Sequence, residues 1–114
     1  MYINDLGDKL NKHWTIFGSG TSSGVHSFNL PTSWDEIHLI IGNINEHIFT
    51  NIRFIPTNVP NSGNNHIMSG YYFDDANHMY VKVTISTTTI SIAEYNLFIG
   101  GNSISGYVCQ FTYR

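Results

Sequence analysis

Charge is what this sequence has least of. Charged residues make up 11% of its 114 positions, against about a quarter in an average soluble domain. The five lysines and arginines form no basic run and the net charge is −3. Proteins that grip a phosphate backbone draw affinity from clustered cations, so nucleic acid is not an expected partner. A single cysteine, Cys109 in "GYVCQFTY", leaves no intrachain disulfide and no redox pair. Set among apolar neighbours, it reads as a small buried hydrophobe. No run approaches the ~20 apolar residues of a membrane span, and the polar stretch from Met1 to His13 has no signal-peptide core. Membrane insertion is therefore not expected.

Helical spacing is nearly as scarce. Only "MYINDLGDKLNKHW" shows it, through Ile3, Leu6 and Leu10, and Gly7 weakens even that. A segment this short does not stand alone as a helix in water. Two readings remain open: a frayed lead-in to the first strand, or the end of a parallel coiled-coil stalk with Ile3, Leu6 and Leu10 along its seam. The stalk would make the remainder a trimeric or dimeric head. The length suits one domain, divided into a lead-in over 1–13 and a head over 14–114.

Asn, Ser, Thr and Gly take the place of the missing charge, alternating with Ile, Val and aromatic residues from Trp14 onward. Such alternation predicts β-strands. Strands are expected at Trp14–Gly18, Val25–Leu30, Glu36–Ile41, Ile48–Ile55, His66–Phe73, His78–Ser86, Thr89–Ile92, Tyr95–Ile99 and Ile104–Tyr113. In "HMYVKVTIS", Met79, Val81, Val83 and Ile85 face one way and His78, Tyr80, Lys82, Thr84 and Ser86 the other. The turn signals "GSGTSSG", "PTSWDE", "GNINE", "DDAN" and "GGNS" punctuate these runs. "PTSWDE" also fits a short helical turn, with Ser33 as cap and Glu36 as its partner. The class is all-β, an antiparallel sandwich or jelly-roll-like barrel of about eight or nine strands. The irregular stretch from Pro56 to Asn65 reads as an exposed recognition loop.

Few residues carry a chemical signature. Asp74 and Asp75 suit a hairpin that bonds its own backbone; acid–base work or a hard cation such as calcium are the other uses of paired carboxylates. The six histidines (His13, His26, His38, His47, His66 and His78) lack the short repeats of a zinc site. No metal or other cofactor is expected. "GSGTSSG" has neither the strand-to-helix context of a serine elbow nor the Lys-Ser/Thr of a phosphate cradle. A sugar hydrolase would need two separated carboxylates, drawn from Glu36, Glu46, Asp75 and Glu94, and no spacing marks such a pair. Aromatic residues are the stronger signal. Flanked by Asn, Asp and His, they suit sugar rings, which stack their C–H faces and bond through hydroxyls. The candidate ligand-binding residues are Trp34, Tyr71, Tyr72, Asp74, Asp75, Asn77 and His78.

The stretches "WTIFGSGTSSGVHSFNLPTSWDEIHLIIG", "SGYYFDDANHMYVKVTIS" and "LFIGGNSISGYVCQFTYR" together resemble the small β-sandwich head domains at the distal end of phage and prophage tail-fibre or baseplate proteins. The resemblance covers Trp14 to Arg114. It implies a non-catalytic, homotrimeric adhesin on a virion, or otherwise extracellular, that contacts a bacterial surface glycan or protein. The family offers no invariant functional residues to carry over. A carbohydrate receptor is expected first, and a structural virion or protein-interaction module without glycan binding is the alternative.

Overall fold

A computed structural model describes residues 13–55 and 65–114. The seam positions Ile3, Leu6 and Leu10, and nearly all of the loop from Pro56 to Asn65, lie outside the described residues. Those residues fold as two antiparallel sheets with no helix among them. The strands are β1 (Thr15–Ser22), β2 (His26–Asn29), β3 (Ile37–Asn43), β4 (Ile48–Phe54), β5 (Asn65–Asp74), β6 (Asn77–Ile85), β7 (Thr89–Ile99), β8 (Asn102–Ser103) and β9 (Tyr107–Tyr113). The first sheet runs β1-β9-β3-β4; the second runs β2-β7-β6-β5, with β8 beside β7. The chain is an all-β sandwich.

Alternation drives this arrangement. Ile37, Leu39 and Ile41 of β3 and Tyr107, Cys109 and Phe111 of β9 face Met79, Val81, Val83 and Ile85 of β6 and Ile90 and Ile92 of β7 in one buried core. Residues between them look outward. At roughly 25 cal/mol per Å² of apolar area removed from water, this shared layer is the main force holding the sheets together. Cys109 belongs to it, and burial pushes its thiol pKa up.

Three departures from simple alternation have physical causes. The expected strands Thr89–Ile92 and Tyr95–Ile99 are one strand, β7. Lys82 pairs with Glu94 and Val83 with Ile92, so Ala93 is an extra residue in a β-bulge that shifts the inward parity from Ile92 to Leu97. "GSGTSSG" is mostly strand, not loop. A Cβ on Gly18 would lie 2.6 Å from Phe28 Cγ, and one on Gly20 would lie 3.0 Å from His26 Cε1. The glycines let rings of the second sheet rest on β1, and Phe17 bulges out of the β1–β9 register to pack on Phe111 and Tyr113.

"PTSWDE" forms bends instead of the expected helical turn. Glu36 and Arg114 exchange backbone hydrogen bonds, Glu36 N to Arg114 O at 3.0 Å and Arg114 N to Glu36 O at 3.1 Å. The Glu36 side chain accepts from Arg53 Nε at 2.7 Å and Arg114 Nε at 2.6 Å. Arg114 in turn covers the Trp14 ring at 4.6 Å.

The hydrogen bond from Arg53, reinforced by Arg114 against a burial penalty, holds the Glu36 pKa below its ordinary value. A lowered folded-state pKa gives stability that is present above the unfolded pKa and lost as pH falls through the folded one. Arg53 is largely exposed, which screens the pair. Glu36→Gln is therefore expected to cost about 1 kcal/mol at neutral pH. Urea unfolding should show the two proteins converge as pH falls from about 5 toward 2; a gap independent of pH would remove the ionic explanation.

Candidate functional site

The second sheet projects its acidic hairpin away from the end that carries Leu30, Trp34 and Arg114. Leu30 N donates to Thr88 O, one residue before β7 begins, whereas His78 at the start of β6 pairs with Phe98 at the other end of β7. Trp34, half-buried against the core, thus lies at the opposite end of the sandwich from Tyr72, Asp74, Asp75, Asn77 and His78. The structure does not join it to the other six candidates.

At the tip, side chains first build the turn itself. Asp74 Oδ1 accepts from Ala76 N at 2.9 Å and from Asn77 Nδ2 at 3.1 Å, a short acidic side chain closing its own two-residue loop. Asn77 Oδ1 accepts from Gly100 N at 3.0 Å, and Gly101 N donates to Ala76 O at 2.9 Å. Gly100 and Gly101 hold positive φ angles of 58° and 81° in the β7–β8 turn, a conformation that favours glycine. The two hairpin tips are stapled together, and Asn77 is the staple. Its amide is committed at both ends, so Asn77→Ala would disturb the scaffold rather than probe a contact.

Above this staple the outward faces of four strands form a cross-strand row. Tyr72 pairs with His78, His78 with Phe98, and Phe98 with Ser103. The His78 and Phe98 rings stack at 4.7 Å and 26°, and Tyr72 follows at 5.9 Å and 30°. His78 Nδ1 lies 3.3 Å from the Asp74 carbonyl, which can only accept and so fixes the proton on that nitrogen. The Tyr72 hydroxyl donates to Asp75 Oδ1 at 2.5 Å, and that hydrogen bond raises the phenol pKa. Tyr72 remains 68% exposed and Phe73, bulged from the register, 81% exposed.

The next row pairs Gly70 with Tyr80 and Tyr80 with Asn96. Tyr80 donates to Glu94 Oε2 at 2.7 Å, which raises its pKa, and Glu94 Oε1 lies 3.8 Å from Lys82 Nζ. An open hollow of ≈ 370 Å³ lies beside Gly70, walled by Met68, Tyr72, His78 and Tyr80; Gly70 itself sits against β6, where a Cβ would fall 2.7 Å from Tyr80 Cα. Tyr71 borders this hollow while pairing with buried Met79 from the other face of the sheet. Phe98, Tyr80 and Asn96 escape notice in the sequence because nothing there reveals which residues lie beside His78.

The four carboxylates singled out for a hydrolase, Glu36, Glu46, Asp75 and Glu94, are spread over different parts of the fold. Glu36 is held by two arginines at the Trp34 end, Glu46 donates its backbone N–H to Asn43 in the β3–β4 turn, Glu94 lies mid-face and Asp75 at the far tip. Among the described residues, no three of His, Cys, Asp and Glu come together as a metal-binding group. The surface offers aromatic rings for stacking, with Asp75, Tyr80 and Glu94 beside them as hydrogen-bonding groups. Comparison with known proteins gives no family model, no curated protein and no solved structure that matches the chain.

Proposed function

We propose that this chain is a non-catalytic binding module for a bacterial surface carbohydrate, and that the outer face of the second sheet at its hairpin end is the contact surface. The row Tyr72, His78 and Phe98 carries this reading. Tyr72, exposed at the end of this row and backed by the His78–Phe98 stack, offers a ring face to the C–H side of a sugar, and Asp75, Tyr80 and Asn96 supply hydrogen-bonding groups nearby. No cofactor is involved. The tail-fibre setting, on a virion or otherwise extracellular, and trimeric assembly rest on the resemblance in sequence.

Tyr72→Ala is the clean probe, because the side chain is mostly exposed. A glycan array should identify a bound sugar, and titration should show Tyr72→Ala weakening it by about 0.5–1.5 kcal/mol, up to roughly tenfold. The melting temperature should hardly move. Full binding in a folded Tyr72→Ala, Phe98→Ala double variant would move the site elsewhere. Absence of any bound glycan would favour the structural or protein-interaction alternative. The exposed Trp14, Ile16, Ile40 and Phe49, the last three on the outside of the first sheet, support that second reading.

A further inference from the structure

We infer that the bound carbohydrate is an uncharged chain of several sugar units laid across the strands, not a single terminal sugar. The inference rests on the carbohydrate reading above and gives it a ligand class. A second hollow, of ≈ 360 Å³, carries it. The first hollow lies over β5 and β6, the second over β7 and the loop 23–25, and Tyr80 walls both. Neighbouring strands are about 4.8 Å apart, so about 10 Å separates β5 from β7. A sugar ring stacked on Tyr72 leaves the second hollow empty. One unit in each hollow and one across the Tyr80 ring fill both.

The second hollow follows from where pairing stops. β2 pairs with β7 as far as Ile92, opposite His26, and β8 begins at Phe98, opposite Ser103. Between them the chain turns toward the first sheet, where the Gly24 carbonyl accepts from the Tyr107 hydroxyl. Val25, mostly exposed, gives this hollow an apolar wall. Asn96 lines it half-buried, and among the described residues its amide makes no hydrogen bond. That amide keeps its donors and its acceptor for a ligand, whereas Asn77 spends both ends on the staple. Charge narrows the class further. Asp75 beside Tyr72 and Glu94 beside Tyr80 place a carboxylate near each hollow, and Lys82 answers only the second, at 3.8 Å. An anionic polymer would meet like charge at the Tyr72 end.

A glycan array printed with bacterial repeat-unit oligosaccharides of graded length, in neutral and acidic series, tests this inference. Neutral chains of three or more units should bind about tenfold or more tightly than the mono- and disaccharides cut from them. Asn96→Ala should lower the long-chain affinity roughly two- to tenfold and shrink its lead over the disaccharide. Val25→Asn, at a mostly exposed position, probes the same hollow and should shrink that lead too. Tyr72→Ala should weaken both lengths and leave the lead in place. Equal affinity for a monosaccharide and for the chain that contains it would overturn the inference. So would a preference for acidic chains, or an unchanged lead in folded Asn96→Ala and Val25→Asn. Those outcomes leave the Tyr72 contact standing, because Tyr72→Ala still reads it. No glycan bound at any length would remove the carbohydrate reading itself, and this inference with it.

Discussion

Phe111→Ala is expected to lower the unfolding free energy by about 3–5 kcal/mol. Phe111 is fully buried in β9 and is the ring through which the two sheets meet. It lies 5.6 Å from Phe17 on β1 of its own sheet and 5.5 Å, edge-on, from Phe28 on β2 of the other. Removing it takes one aromatic partner from each ring and leaves a cavity that the β9 backbone, paired on both sides, cannot close. A domain's whole stability is about 5–15 kcal/mol, so a large fraction would go with one side chain. Urea unfolding with an unchanged denaturant slope should show the loss. A change below about 1 kcal/mol would mean that the sheets hold together elsewhere.

Gly42→Ala is expected to be nearly as damaging, although it adds only one methyl group. Gly42 is buried in β3, opposite Phe49 on β4 and Val108 on β9. A Cβ there would fall 2.7 Å from Phe49 Cα and closer still to the Ile48 carbonyl oxygen. These are backbone atoms, which cannot swing aside as a flexible side chain does, so β3 and β4 must separate locally. Overpacking of this kind costs about 1–3 kcal/mol, sometimes more. Gly24 provides the control, since a Cβ there meets nothing within 4 Å. Gly24→Ala should stay within about 0.5 kcal/mol of the parent, and equal losses at both sites would refute the steric explanation.

The all-β class was legible because β6 states its burial outright. Met79, Val81, Val83 and Ile85 alternate with polar neighbours, and all four are buried as the period demands. Where reading failed, a second strand was involved. "GSG" looks like a loop because glycine and serine favour turns, yet it is strand because rings from β2 need the space the glycines leave. β7 looks like two strands because its bulge at Ala93 breaks the period, and only the pairing with β6 reveals continuity. "PTSWDE" carries a helix-capping pattern, but two arginines distant in sequence capture the Glu36 carboxylate.

The candidate site was half legible for the same reason. Tyr72, Asp75 and His78 are near neighbours in the chain and come together at the hairpin. Asp74 and Asn77 also gather there, but to build the turn and the staple to Gly100. Trp34 was an aromatic residue without an address. Phe98 and Asn96 entered only with the β6–β7 register, information that no local pattern contains.

The position of Cys109 gives the protein an internal clock for its own opening. The thiol sits in β9 between β1 and β3, opposite Gly20 and Ile41, and is 6% exposed. Its side chain faces the core, so an alkylating reagent reaches it when the two sheets separate. Its labelling rate in native buffer therefore measures how often the sandwich opens, whether by local fraying or by whole-domain unfolding. With one sulfhydryl in the sequence, the readout needs no engineered probe. Its response to added glycan would report, from within the core, whether binding at the hairpin end is felt across the sandwich.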